Sequence, residues 1–425
     1  MNRKTTWLLA SLLGMTVIAA RSSEMPLQTQ WAVLQEPTKA DGARRFSDLY
    51  SVTWEEIPMP YSTPADRHDI RADSIANDGT IAGTGSDGVL VLWRPDSQTW
   101  EWLPEALDPT MPKLISSDGS SVIATDDPYR ILTWNRMDGW QALAGSTVTQ
   151  SAASNVSKNF RFVVGGGRND GEAPQAWVWS LDGDIQQILQ TPIGDCIVAA
   201  QAEAVSNDGN VVIGNALCPT EENGFHYIKY IATRWIAGGP PTILHDPYGR
   251  ELPRVAACNA DCSTVFGDGP WFLKSNGEFG FMGNISDGYP WTEDSYGPYH
   301  IFDASADGSI VVGLYLANIY PQNPNLEIYD DRPFIWSQVA GMTSLRSLGI
   351  WDEDWDIIST VRLSPDGRLL LVAGLRKTWG FWAVVVHLTP NPVRLTGGHS
   401  THAMPTPPRA NQGASLRAGS GAVVD

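Results

Sequence analysis

The hydrophobic and polar positions of this chain repeat a single short pattern seven times. The copies are DSIANDGTIAG (73–83), LISSDGSSVIA (114–124), NVSKNFRFVVG (155–165), AVSNDGNVVIG (204–214), ACNADCSTVFG (257–267), DASADGSIVVG (303–313) and RLSPDGRLLLV (362–372). Each copy has a small or polar residue, a turn centred on Asp or Asn, and then a run of β-branched or apolar residues. The turn residues Asp78, Asp118, Asn159, Asp208, Asp261, Asp307 and Asp366 are separated by 40, 41, 49, 53, 46 and 59 residues. Gly follows five of them, and Phe160 and Cys262 are the exceptions. Asp-Gly at a tight turn supplies a side-chain acceptor and a positive φ, so each copy predicts a short β-hairpin.

An aromatic residue follows each hairpin on a further strand: Trp93, Trp134, Trp179, Trp235, Phe272, Trp336 and Trp382. Most units then show another turn and a short apolar strand, as in WRPDSQTWEWLP (93–104) and WSQVAGMTSL (336–345). Four strands at this period predict a propeller blade. The seventh unit ends at FWAVVVHL (381–388) without a fourth strand, while an orphan strand, VTWEEIP (52–58), precedes the first hairpin. Val52 to Ile57 therefore completes the last blade. The expected fold is an all-β, seven-bladed β-propeller with four-stranded blades, closed by an N-terminal strand. A ring of six or eight blades is the competing count.

The best copies, SADGSIVVG (305–313) with RPFIWSQVAGMTSL (332–345) and SNDGNVVIG (206–214) with ATRWIAGGPPTIL (232–244), resemble the HAF-type bacterial extracellular repeat family. EAPQAWVWSLDGDIQQIL (172–189) carries the second half of the same pattern. The resemblance covers about residues 50–390. It implies a secreted or surface β-propeller, and it brings no common catalytic site.

The ends read differently. Arg3 and Lys4 precede an apolar run, Trp7 to Ala20, of signal-peptide length, so residues 1–20 are expected to be a signal peptide. An uncleaved anchor is the competing reading, although the run is short for a spanning helix. Residues 21–45 read as a linker, 46–390 as the propeller, and 391–425, rich in Pro, Gly, Ala and Ser, as a disordered tail. The mature protein is expected in the periplasm or outside the cell, with no integral membrane segment.

Composition narrows the partners. The 425 residues hold 40 Gly, 29 Pro and 18 Trp, which favours strands and turns over helices. The 47 acidic and 29 basic residues leave a net charge of -18, which argues against nucleic acid, since phosphate binding needs basic patches. The four cysteines lie between 196 and 262. In an oxidising compartment they should pair. Cys258 and Cys262 flank the fifth turn, and Cys196 and Cys218 sit at similar depth on the two arms of the fourth hairpin. The expected disulfides are Cys196–Cys218 and Cys258–Cys262. A zinc site is the alternative, against which stand the missing Cys-x-x-Cys spacing and the export signal.

Function is expected on the face opposite the hairpin turns. The long segments are second-to-third loops, 215–231 and 315–333, and inter-blade loops, 284–300 and 349–359, all of which fall on that face. Loops on a rigid scaffold are where binding residues collect. Their aromatic and acidic content supplies the ligand-binding candidates Trp291, Glu293, Asp294, Tyr296, Tyr320, Asp330, Asp331, Trp351, Asp352, Asp354 and Trp355. Planar aromatics stack on sugars or anchor a protein partner. The plain structural reading is that Trp291, Trp351 and Trp355 pack these loops onto the blades. Calcium on Asp352, Glu353, Asp354 and Asp356 is a weak option, because no defined calcium-loop spacing is present. No other cofactor is expected.

Two functions follow: a non-catalytic module binding a glycan or protein partner, or a glycan-active hydrolase or lyase on the same face. The second needs a carboxylate pair. Glu293, Asp294, Asp330 and Asp331 are available, but no spacing singles out two of them. Neither Gly-x-Ser-x-Gly nor His-Glu-x-x-His occurs. His226, His245 and His300 are isolated and read as loop or packing residues.

Overall fold

The structure, a computed structural model, describes residues 45–392 except 61–69, 86–87, 107–112, 127–129, 144–149, 169–172, 184, 195, 223–224, 284, 286–298, 319–328, 351–354 and 377–379. The signal peptide, the linker up to residue 44 and the tail from 393 lie outside the described residues. The chain divides into a unit ending at Asn391 and a second unit, Pro392–Asp425.

The first unit is a seven-bladed propeller of four-stranded antiparallel sheets. Blade one contains Ile70–Ile75, Ile81–Gly85, Val89–Arg94 and Thr99–Ala106, and blade two Leu114–Ile115, Ser121–Thr125, Ile131–Asn135 and Gly139–Ala142. Blade three is Gln150–Val156, Phe162–Arg168, Gln175–Ser180 and Ile185–Ile188. Blade four is Ala199–Val205, Val211–Glu222, Phe225–Ile236 and Thr242–Ile243. Blade five is Val255–Cys258, Thr264–Gly267, Trp271–Lys274 and Phe279–Phe281. Blade six is Tyr299–Ala304, Ile310–Asn318, Tyr329–Ser337 and Gly341–Ser344. Blade seven takes Trp355–Leu363, Leu369–Arg376 and Gly380–Pro390 from the C-terminal side, and its fourth strand is Tyr50–Ile57. That closing strand pairs in full, from Tyr50↔Pro390 to Ile57↔Ala383. One helical turn before it, Phe46–Leu49, sets Phe46 in the core, stacked on Tyr50 at 4.8 Å.

The core is seven separate apolar seams, one at each blade junction. A third-strand Trp anchors every seam and points toward the preceding blade: Trp93, Trp134, Trp179, Trp235, Trp271, Trp336 and Trp382, none more than 6% exposed. The expectation of Phe272 as the aromatic of unit five is corrected. Trp271 fills the seam with blade four, and Phe272, one residue on, turns to the other face of the sheet and packs in the seam with blade six. Strand periodicity of two makes that one-residue offset a change of side.

The seven hairpin turns share one hydrogen-bond design. The turn Asp or Asn accepts the N–H two residues on in every copy: Thr80, Ser120, Arg161, Asn210, Ser263, Ser309 and Arg368 donate. The Ser two positions earlier donates its hydroxyl to that residue in five copies, as Ser206 does to Asp208 at 2.6 Å. The residue after the turn position is left-handed in all seven, including Phe160 (φ 60°) and Cys262 (φ 50°). Non-glycine residues adopt that region at a cost, so the turn geometry prevails over the local preference at these two sites.

Neighbouring turns are also wired together. Asn77, Asn207, Ala260 and Ala306 donate their backbone N–H to the carbonyls of Ser117, Ala260, Ala306 and Pro365 in the next blade. Pro365 has no N–H, and there the Asp366 N–H donates to the Asn77 side chain, across the junction where the ring closes. Asn159 bonds Asn207 in the same manner between blades three and four.

On the inner side, a β-bulge falls five residues before the turn residue in blades one, three, four, five and six, at Asp73, Ser154, Glu203, Ala256 and Phe302. The bulge explains the glycine that ends each paired apolar run. A Cβ on Gly83, Gly165, Gly214, Gly267 or Gly313 would lie 2.0–2.4 Å from a first-strand carbonyl oxygen, two residues before the bulge. Blades two and seven carry Ala124 and Val372 at the matching place, and neither has this bulge.

The second-to-third segment of blade four departs from expectation. Residues 215–231 are not a loop: the two strands pair without interruption to Glu222↔Phe225. The two intervening residues in the sequence are Asn223 and Gly224, the pair that favours a two-residue hairpin loop. In blade six the expected loop 315–333 is strand over its first and last residues, with pairing to Asn318↔Tyr329. The end of 349–359 belongs to the first strand of blade seven.

Two outcomes test this account. Deleting residues 46–58 exposes the edge of the Gly380–Pro390 strand, and open edges recruit other chains. The truncated protein is expected to aggregate or lose its cooperative melt, read by calorimetry and size-exclusion chromatography. Gly214→Ala is expected to destabilise by about 1–3 kcal/mol through overlap with the Gln201 carbonyl. Gly166→Ala, whose Cβ meets Gln201 Cγ at an ordinary 3.4 Å, should be neutral or stabilise by up to about 1 kcal/mol. Equal denaturation midpoints for the two variants would refute the bulge argument.

Candidate functional site

The first strands of neighbouring blades touch around the ring and line a central channel. Polar side chains there follow a rule set by the bulges: a group on one blade satisfies the first-strand backbone of the next. Asp73 accepts the Lys113 N–H at 3.2 Å, and the Ser74 hydroxyl donates to the Lys113 carbonyl at 2.6 Å. Asn215 accepts the Val255 N–H and donates to the Val255 carbonyl, at 2.9 and 3.1 Å. Asp268 accepts from Ile301 at 3.0 Å, and Asp303 from Leu363 at 3.1 Å.

Charged groups are concentrated on blades three to seven. Glu203, re-aimed by its bulge, accepts a hydrogen bond from Asn215 at 3.2 Å and faces Arg254 at 3.8 Å. Arg254 also pairs with Asp268 at 3.4 Å and lies over the Tyr230 ring. Asp268 reaches His300 Nδ1 at 3.4 Å. Lys158, in the turn of blade three, crosses to Asp303 of blade six at 2.6 Å. Arg362 of blade seven donates to the Phe302 carbonyl and stacks over its ring. The positive groups Lys158 and Arg254 are thus matched by carboxylates within the channel.

Burial pushes the Glu203 carboxyl up, and the pull of Arg254 and Asn215 only partly reverses this. Burial pulls the Arg254 guanidinium down, but Glu203 and Asp268 outweigh it and leave it raised. On the turn face the carboxylates are lowered: Asp118 and Asp208 by the hydroxyls of Ser116 and Ser206, and Asp261 by Ser263. Burial opposes the shift at Asp307, and the hydrogen bonds from Ser305 and Ser309 overcome it.

The face opposite the turns is described in part. Trp291, Glu293, Asp294, Tyr296, Tyr320, Trp351, Asp352 and Asp354, with Glu353, lie outside the described residues. Asp330 and Asp331 fall in the third strand of blade six, opposite Ala317 and Leu316, and Trp355 opens the first strand of blade seven opposite Arg376. Nothing is described of their side chains. Among the described residues, no three His, Cys, Asp or Glu side chains converge as metal ligands. The described feature of this face is the blade-four hairpin. Its strands are 12 residues each, whereas its fourth-strand partner covers only Thr242–Ile243. The expected disulfide Cys196–Cys218 ties the hairpin to the segment before the first strand, and Cys258–Cys262 spans the fifth turn. Beyond the tie, Tyr227 and Ile228 are 44% and 38% exposed. Sequence reasoning missed Glu203, Arg254, Asp268 and Asp303. The signal available was the glycine that ends each hairpin, since it marks where a bulge redirects an inner side chain.

No family model and no curated protein matches the chain. Solved structures that match include a protein described as TolB from Agrobacterium tumefaciens (14% identity, 81% of this chain and 99% of that one, TM-score 0.40). Others are the β-propeller domain of the Trilobed protease from Pyrococcus furiosus (11%, 76% and 97%, TM-score 0.47) and that of Myceliophteria thermophila Cps50 (Swd1) (10%, 79% and 99%, TM-score 0.45). At these identities the likeness carries nothing about function.

The opposite shifts on the two sets of acids give a signed pH dependence. Glu203, raised on folding, favours the folded state below the unfolded value of about 4.3, and this is lost as pH rises through its folded value. The turn aspartates, lowered on folding, favour the folded state above about 3.9, and this is lost as pH falls through their folded values. Glu203→Gln should abolish a gain in melting temperature on mild acidification. Asp208→Asn should flatten the loss below pH ~4, and it keeps the acceptor that Asn159 already supplies in blade three. Parallel melting curves for parent and both variants across this range would rule the assignment out.

Proposed function

We propose that this protein is a non-catalytic binding propeller of an extracytoplasmic compartment, which recognises a glycan or protein ligand through the face opposite its hairpin turns. The observation that carries the reading is the blade-four hairpin. It extends past its fourth-strand partner, is tied by Cys196–Cys218, and presents Tyr227 and Ile228 to solvent. A rigid ribbon with exposed apolar side chains offers contact area without the entropy cost of ordering a loop. The disulfides support an oxidising location. No helix among the described residues is long and apolar enough to cross a membrane. Trp291, Tyr296, Tyr320, Trp351 and Trp355, with the acids beside them, are the remaining contacts proposed on this face, and calcium would bind through Asp352, Asp354 and their acidic neighbours.

The test is a glycan array together with a thermal-shift screen, with and without calcium, followed by alanine variants against any ligand found. Ile228→Ser, Trp291→Ala and Trp351→Ala are expected to weaken binding about tenfold or more, as loss of an anchoring residue does, with little change in melting. Trp336→Ala, in the seam between blades five and six, should instead cost roughly 3–5 kcal/mol of stability. Release of cleaved saccharide would move the assignment to a glycan-active enzyme. Unfolding by Trp291→Ala and Trp351→Ala as severe as that by Trp336→Ala would make those loops packing elements.

A further inference from the structure

Between blades four and five, on the rim toward the turn face, lies an open cleft of about 310 Å³. Its floor includes Leu244 and Leu273, which belong to the seam between these blades. Its walls carry Arg234 from the third strand of blade four, His245 after its fourth strand, and Lys274 and Ser275 from blade five. Arg234 is on the same side of its strand as Ala232, which faces blade five, while Trp235 faces blade three.

The charges around the cleft are settled with one exception. Lys274 is paired with Glu278 at 2.7 Å. Asp246, also on the wall, is paired with Arg250 and accepts the Tyr248 and Arg250 N–H groups at 2.9 Å. Arg250 and those N–H groups outweigh burial and hold its carboxyl below the ordinary value. Arg234 has neither a carboxylate partner nor a side-chain hydrogen bond, and its Nε is buried without an acceptor. Other described arginines, such as Arg71, Arg94, Arg130, Arg161 and Arg254, are paired. In a chain of net charge -18, an arginine without a partner does not reflect a shortage of carboxylates. A guanidinium withdrawn from water and left unsatisfied is unfavourable until an acceptor arrives.

We infer that the blade-four/blade-five cleft is a binding site for a small monocarboxylate, of sugar-acid size, held through Arg234. The guanidinium fork matches a carboxylate in two parallel hydrogen bonds. Ser275 and His245 supply further polar contacts for hydroxyls, and the leucine floor takes the apolar face of the ligand body. The size lies at the lower end of small-molecule sites. The charge selects a monoanion: the two wall pairs cancel, Arg234 leaves one positive charge, and the Asp246 carboxylate opposes a dianion. The site is independent of the face assigned above, because third-strand residues near Ile236 lie at the turn end of the blade.

The test is titration calorimetry of the folded protein with D-glucuronate, with glucose as the neutral match and inorganic phosphate as the dianion. Saturable binding of glucuronate, at least tenfold weaker binding of glucose and phosphate, and loss of glucuronate binding in Arg234→Gln are expected. Arg234→Lys should retain only part of the affinity, since the charge stays and the fork is lost. Ser275→Trp, which obstructs the cleft from blade five, should also abolish binding, and it serves if Arg234→Gln fails to fold. Glucuronate binding that survives both Arg234→Gln and Ser275→Trp, preference for phosphate, or no glucuronate binding at millimolar concentration would overturn the assignment.

Discussion

Every blade of this protein has two apolar faces, and neither can be buried within the blade. Burial comes only from the neighbours on both sides, so the ring must close for any blade to be stable. The seven seams express this constraint, each built around a third-strand Trp that points at the preceding blade. Closure by Tyr50–Ile57 follows from it: without that strand, the seventh blade would present an unpaired edge of 11 residues, Gly380–Pro390.

Apolar packing is non-directional and does not set how blades register against one another. The hydrogen bonds of the turn face and the inner rim do. Backbone donors run from turn to turn, and an asparagine side chain substitutes where Pro365 breaks the series. On the inner rim, bulged first strands turn polar side chains toward the next blade's backbone. The closely approached glycines are the counterpart of those bulges. The channel charges therefore serve the architecture first: Lys158–Asp303 joins blades three and six, and Glu203, Arg254 and Asp268 join blades four and five.

The arrangement leaves function to elements that the ring does not need. The blade-four hairpin continues for several residues after its contribution to the sheet has ended. Arg234 occupies a seam position yet takes no part in the pairing that satisfies its neighbours. The two features lie at opposite ends of the same blade, so a ligand at one need not exclude a ligand at the other.

The repeated Asp-Gly hairpins, the four strands per unit, the closing strand and both disulfides are legible in the sequence because each depends on local pattern or on alignment between copies. Tertiary structure alone decided that Trp271 rather than Phe272 anchors the fourth seam. Both are aromatic and adjacent, and which one faces blade four depends on the register of the strand in the ring. It also decided that 215–231 is a ribbon. The Asn223-Gly224 signal was present there, but the length of the insertion resembles a loop until its two halves are paired. Glu203, Arg254, Asp268 and His300 come from three blades and are separated by up to 97 residues, from 203 to 300. No spacing along the chain announces such a group, because closing the ring is what brings its members together.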